Sequence, residues 1–156
     1  EIKNDPRIHI PIFGNGDINS PEKALEYKNR YGVDGIMIGR AAIGYPWIFR
    51  EIKHFVETGT RRADPTIEER VEVARKHLIK SMEWKGPIAG INEMRRHYAN
   101  YLRGLPNIKE YRNKLVRITD PKEVEAILDE IKENYKDMVI ESGHIVLENY
   151  HEHCPI

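Results

Sequence analysis

The chain has 156 residues, of which 40% are apolar and 32% are charged, and its formal net charge is zero. This length suits one ordinary domain or two small ones. There is no run of about 18 apolar residues, so we expect no membrane-spanning segment. A single cysteine, Cys154, excludes an intrachain disulfide and favours a reduced, cytoplasmic setting.

The N-terminal part alternates between apolar runs and helical segments. Residues 8–13 and 34–38 are rich in β-branched and other apolar side chains, which predicts two strands. Helices are predicted to begin at Pro21 and Pro46. Their limits depend on the capping residues Ser20, Gly32 and Gly59. Two successive strand-turn-helix units are typical of a parallel α/β sheet.

A polar, glycine-bearing turn follows each predicted strand. The first contains Asn15, Gly16 and Asp17, and the second contains Gly39 and Arg40. Parallel α/β folds keep their chemistry at the carboxyl ends of strands, where glycine lets a phosphate approach backbone N–H groups and arginine neutralises it. Asn-Gly-Asp is also simply a favourable turn sequence. The two turns together favour a phosphate site.

Two parallel strands cannot close a barrel, which needs about eight. We therefore expect this chain to be the C-terminal piece of a longer protein. Its unpaired strand edges favour dimerisation or domain swapping.

The sequence beyond Gly59 predicts a different architecture. A polar linker ends at Pro65, and four amphipathic helices follow, which indicates a small bundle. Their predicted starts are Thr66 with Glu69 as a capping box, Gly86-Pro87, Asn107 with Glu110, and Asp120-Pro121. The predicted inward-facing residues of the second helix include Ile88, Ile91, Met94 and Tyr98.

Charge is unevenly distributed along the chain. Residues 75–117 hold eleven Lys and Arg against three Asp and Glu, whereas residues 118–156 hold three against ten. A basic segment interleaved with tyrosines is typical of a surface that meets nucleic-acid phosphates. Solvated helix faces would give the same pattern. Within this segment, Arg95, Arg96 and His97 are the candidate RNA contacts.

Several motifs together resemble the tRNA-dihydrouridine synthases over about residues 8–130. They are Ile-Pro-Ile-Phe-Gly-Asn-Gly-Asp-Ile (10–18), Asp-Gly-Ile-Met-Ile-Gly-Arg (34–40), Gly-Tyr-Pro-Trp-Ile-Phe (44–49), Glu-Met-Arg-Arg-His-Tyr (93–98) and Tyr-Leu-Arg-Gly-Leu-Pro (101–106). Other flavin barrels share the two turns but not the appended helices. The resemblance implies the last two βα units of a TIM barrel (1–59), a helical tRNA-binding domain (60–140) and a tail (141–156).

The resemblance also implies a chemistry. Such enzymes use NADPH to reduce FMN, which passes hydride to the C5=C6 bond of a tRNA uridine. Asn15, Gly16, Asp17, Gly39 and Arg40 fall on family positions that bind FMN, chiefly its phosphate. Alternative functions are a non-catalytic RNA-binding module and a different FMN-dependent barrel oxidoreductase.

This sequence departs from the family pattern at the catalytic acid. The family's catalytic cysteine lies in an upstream Gly-Cys-Pro segment that this chain lacks, and Cys154-Pro155 repeats only the dipeptide, in the tail. We therefore expect no catalytic residue here and no activity from this chain alone. His151, His153 and Cys154 have zinc-ligand chemistry, but a terminal tail without a fourth ligand favours no metal site.

Overall fold

The computed structural model describes residue 3 and residues 5–138, and within them the chain is mostly helical with two short parallel strands. The elements are β1 (Phe13–Gly14), α1 (Pro21–Tyr31), β2 (Gly35–Ile36), α2 (Ile48–Thr58), α3 (Ile67–Lys85), α4 (Pro87–Tyr101), α5 (Lys109–Leu115) and α6 (Pro121–Tyr135). A 3-10 turn, Arg40–Ala42, lies between β2 and α2. This arrangement is compatible with part of a TIM barrel followed by helices. The tail with Cys154 lies outside the described residues.

The two strands pair in parallel but are shorter than predicted. Phe13 lies opposite Gly35 and Gly14 opposite Ile36. Before this ladder, the Asp34 carboxylate accepts a hydrogen bond from the backbone N–H of Ile12 at 2.8 Å. Each strand has one strand neighbour within the described residues, and the rest of each apolar run is not assigned to a strand. Phe13 is accordingly 66% exposed.

Most helix ends follow the sequence signals. The side chains of Ser20, Thr66 and Asp120 accept the capping bonds of α1, α3 and α6. Gly32 and Gly59 adopt the left-handed conformation that ends α1 and α2. These predictions are confirmed. However, α2 begins two residues later than predicted, at Ile48.

Two of the helical predictions are wrong. Asn107 does not cap α5, because it adopts a left-handed φ of 55° and α5 begins at Lys109. Asparagine tolerates that region better than most residues, so a turn replaces the cap. Ile88 is 77% exposed. The close contact between α4 and α3 occurs at Gly90, beside the backbone of Met82, and a residue two positions earlier lies on the opposite side of the helix.

The core has a larger helical cluster and a smaller α/β cluster. The larger one is built on α3, α4 and α6, with Val71, Leu78, Met94 and Tyr98 almost completely buried. It also contains Trp47, which precedes α2 in the chain. The smaller cluster is Ile18, Ala24, Ile48 and Ile52. The segment after β2 therefore reaches into the helical core.

No helix in the described ranges is both long and apolar enough to cross a membrane. Among the same residues, no three His, Cys, Asp or Glu side chains converge as metal ligands. His151, His153 and Cys154, for which the sequence analysis favoured no metal site, lie outside these ranges.

Candidate functional sites

The two polar turns lie at the same edge of the parallel strand pair. Asp17 follows β1 and Arg40 follows β2, and the guanidinium of Arg40 forms a hydrogen-bonded ion pair with the Asp17 carboxylate. Both side chains are more than half exposed. The structure thus brings together the two turns that the sequence analysis assigned to a phosphate site.

The first turn is held by its own backbone geometry and by a second cation. Asp17 has a left-handed φ of 48°, a conformation that aspartate tolerates better than most residues. Its carbonyl oxygen accepts a hydrogen bond from Lys23 Nζ at 2.9 Å. Asn15 is exposed beside it. This edge therefore presents the guanidinium of Arg40, the ammonium of Lys23 and the amide of Asn15.

The two glycines of the turns differ in their surroundings. A Cβ at Gly16 would lie 3.1 Å from Cε2 of Tyr27, so a larger residue there would require the Tyr27 ring to shift by a few tenths of an ångström. A Cβ at Gly39 would meet no atom within 4 Å. Open space above Gly39, next to Arg40, leaves room for a ligand to approach the backbone. A guanidinium, an amide and accessible backbone N–H groups are the donors that a phosphate group requires, so these residues fit the phosphate end of a flavin nucleotide.

The loop after the second turn docks on helix α4. Gly44 has a φ of 66°, and a Cβ there would lie 2.5 Å from the His97 carbonyl oxygen and 2.8 Å from Asn100 Cβ. Asn100 Nδ2 donates a hydrogen bond to the Ile43 carbonyl oxygen at 2.7 Å. Only a glycine allows this approach. Sequence reasoning gave Gly44 no role beyond a motif match, since its partner lies more than fifty residues away.

Further contacts fix the same junction. The Trp47 ring packs edge-on against Tyr101 with centroids 5.9 Å apart. Arg50 donates two hydrogen bonds to the Glu69 carboxylate, at 2.9 and 3.2 Å, and this pairing lowers the pKa of Glu69. The second polar turn is therefore linked through a short loop to the helical core.

The three candidate RNA contacts occupy different environments on α4. Arg96 is largely exposed, and it donates to Glu93 at 2.7 Å and to His97 Nε2 at 3.2 Å. His97 is only 8% exposed and packs against the His77 ring at 4.5 Å. Burial, together with the charge of neighbouring His77 and Arg96, lowers the pKa of His97 to about 4. It is therefore neutral at pH 7 and acts as an acceptor for Arg96.

Arg95 lines a groove between α4 and α5 with a volume of about 620 Å³. We call it the α4–α5 groove. Its polar lining comes from Arg95, Tyr98, Asn107, Lys109, Arg112 and Asn113, and its apolar lining from Ala99, Leu105, Ile108 and Val116. Among the described residues, its lining includes three cations and no carboxylate. The sequence indicated the basic segment but not this concavity, because α5 and the preceding turn could not be placed relative to α4.

Comparison with known proteins gives one consistent result. The family Dihydrouridine synthase (Dus) matches residues 1–138. The chain is 42% identical over 113 residues to tRNA-dihydrouridine synthase B of Pseudomonas putida, an alignment covering 72% of this chain and 34% of that protein. It is 34% identical over 132 residues to the probable tRNA-dihydrouridine synthase of Rickettsia conorii, covering 85% and 39% respectively. The chain spans between about a third and two fifths of the length of these relatives.

Proposed function

This chain belongs to the dihydrouridine synthase family, and we propose that it forms part of an FMN-dependent enzyme that reduces uridine to 5,6-dihydrouridine in tRNA, with NADPH as the reductant. The family match over residues 1–138 carries this proposal. The pairing of Arg40 with Asp17 at one edge of the strands supports it, because it assembles a phosphate-type donor set at the place where α/β folds bind ligands.

The two turns would hold the phosphate end of FMN. Asn15, Gly16 and Gly39 offer amide and backbone N–H donors, and Arg40 offers a charge-assisted one. Asp17 bears the wrong charge to contact a phosphate directly, so its role would be to orient Arg40. The bound flavin would supply hydride transfer.

The basic segment would bind tRNA. Arg95 and Arg96 lie next to each other on α4, within residues 75–117, which carry the excess of Lys and Arg. Lys and Arg that meet phosphates supply most of the salt-dependent affinity of such interfaces. His97 would act indirectly, because its buried ring accepts a hydrogen bond from Arg96. Base reduction also requires the target uridine to leave its stack, which a broad basic surface would support.

We further propose that this chain is inactive without the rest of the enzyme. A general acid must reach the proton acceptor within hydrogen-bond distance, and the chain's sole cysteine is Cys154. In the test, the purified chain is incubated with FMN, NADPH and unmodified tRNA, and dihydrouridine is measured by mass spectrometry. We expect none. Dihydrouridine above the protein-free background would overturn this proposal.

The activity itself is tested in the intact enzyme that contains this segment. Arg40→Ala is compared with Arg30→Ala, which removes an exposed arginine of α1 outside both turns. We expect tRNA from cells carrying Arg40→Ala to lose dihydrouridine and tRNA from the control to keep it. Full tRNA binding with no flavin binding in the wild-type enzyme would instead favour a non-catalytic RNA-binding module.

A further inference from the structure

The α4–α5 groove is large enough to hold a small ligand. Its volume of about 620 Å³ falls within the range of small-ligand pockets, roughly 300–1,000 Å³. One wall comes from Arg95 and Tyr98 of α4, and the other from Lys109, Arg112 and Asn113 of α5. The α5 residues recur at helical spacing, so one face of that helix points into the groove.

Two residues that line the groove each carry a buried polar atom without a partner in the described part of the chain. Tyr98 is 1% exposed, and its hydroxyl makes no hydrogen bond within the described residues. The same holds for the buried Nε of Arg95. An unsatisfied buried polar group is costly and rare in native proteins. A ligand that offers polar atoms to both residues would remove that cost.

The charges at the groove are also available for a ligand. Arg95, Lys109 and Arg112 form no ion pair with any carboxylate in the described part of the chain, whereas neighbouring Arg96 and Lys85 are both paired with Glu93. Three cations without a carboxylate partner in that part of the chain, placed around one concavity, favour an anionic ligand. Asn107 and Asn113 add amide groups that both donate and accept, and four apolar side chains complete the lining.

From these observations we propose that the α4–α5 groove receives a single unstacked, phosphate-bearing nucleotide, with its phosphate on Lys109 and Arg112 and its base beside Tyr98 and the asparagines. The inference rests on the proposed tRNA function, and the nucleotide it concerns is not the uridine that reacts, because no residue of the two polar turns lines the groove. The site would thus hold the tRNA at a second point. It would read an exposed base there by its polar edge.

Tyr98→Phe provides a discriminating test. Because the hydroxyl has no partner among the described residues, its removal should leave the melting temperature unchanged or raise it. Binding of a nucleotide should nevertheless weaken about three- to tenfold. Tyr101→Phe is the matched control, since the Tyr101 hydroxyl already bonds with His77 Nδ1 at 3.1 Å. It should lower stability and leave nucleotide binding unchanged.

Arg112→Gln tests the phosphate side of the groove. It should weaken binding at least tenfold, and Arg117→Gln, which removes a cation that does not line the groove, should have little effect. Amide chemical shifts of the chain are followed during titration with 5′-UMP and, separately, with inorganic phosphate. We expect 5′-UMP to move the amides of residues 107–113 and the Asn107 and Asn113 side chains.

The titrations distinguish a nucleotide site from a simple phosphate site and from no site at all. No shift at the groove with 5′-UMP overturns the proposal, and so does inorganic phosphate that binds as tightly and moves the same amides. A parallel titration with unmodified tRNA separates this inference from the proposed function. If tRNA binds and the Tyr98, Tyr101, Arg112 and Arg117 variants all bind it with wild-type affinity, the proposed groove site is wrong and the proposed tRNA function is retained. If tRNA does not bind, but 5′-UMP binds and is weakened by Tyr98→Phe and Arg112→Gln alone, the groove is a nucleotide site and the proposed tRNA function is wrong.

Discussion

The docking of the Gly44 loop on α4 predicts a large effect from one methyl group. Gly44→Ala would force alanine into a φ of 66° and place its Cβ 2.5 Å from a backbone oxygen of α4. The left-handed conformation costs about 1–2 kcal/mol. Relief of the overlap by backbone movement costs about 1–3 kcal/mol more. We therefore expect Gly44→Ala to lower the free energy of unfolding by roughly 2–5 kcal/mol.

Gly32→Ala is the matched control for this substitution. Gly32 has a similar φ of 59°, but a Cβ there meets no atom within 4 Å. It should lose only the conformational part, about 1–2 kcal/mol. The difference between the two variants isolates the contact between the loop and α4.

Urea unfolding followed by circular dichroism measures both variants against the wild-type chain. If Gly44→Ala has no folded baseline while Gly32→Ala retains one, that difference gives the same ranking. Equal losses of stability in Gly44→Ala and Gly32→Ala would refute the reasoning. They would mean that the loop moves away from α4 with no loss of free energy, so that its close contact does not stabilise the fold.

Three other predictions concern the proposed sites. Arg40→Ala should weaken FMN binding by the intact enzyme about ten- to a hundredfold, measured by flavin fluorescence, since one charge-assisted bond contributes about 1.5–3 kcal/mol; an affinity equal to that of Arg30→Ala would contradict the assignment. Arg95→Ala with Arg96→Ala should weaken tRNA binding and make its dependence on salt shallower, with folding checked by circular dichroism; unchanged affinity and slope would remove this pair from the RNA surface. His97 is held neutral, with a folded-state pKa lowered to about 4, so the unfolded chain binds more protons as the pH falls below about 6.5. Stability should therefore decrease between about pH 6.5 and 4, and this decrease should be smaller in His97→Gln than in His54→Gln; identical pH profiles of unfolding in the two variants would show that His97 does not cause it.

Local features of this chain were predictable because their causes lie within a few residues. The caps at Ser20, Thr66 and Asp120 are hydrogen bonds to N–H groups two or three positions along the chain. The predicted cap at Asn107 was wrong. A left-handed turn competes with capping at asparagine, and the sequence does not show which of the two tertiary contacts select.

The candidate sites were predictable only in part. That the two polar turns would be neighbours followed from the parallel geometry of their strands, but the pairing of Arg40 with Asp17 depends on side-chain placement across 23 residues. The α4–α5 groove depends on the angle at which α5 returns to α4, which no local pattern encodes. Burial of His97 beside exposed Arg96 likewise follows from the packing of α3 on α4. The spacing of apolar residues indicated which face of α4 is buried, but not which helices pack against it.

The position of Trp47 has a consequence for engineering this protein. Its indole is part of the helical core although its backbone belongs to the segment that leads out of β2. A chimaera that grafts the helices onto another barrel with a junction at the polar linker would leave an indole-sized hole in the graft, and large-to-small losses of this kind cost about 3–5 kcal/mol. A transplant that carries residues 39–138 as one cassette keeps the tryptophan with the cavity it fills. Specificity swaps between related enzymes should therefore be cut upstream of Gly39.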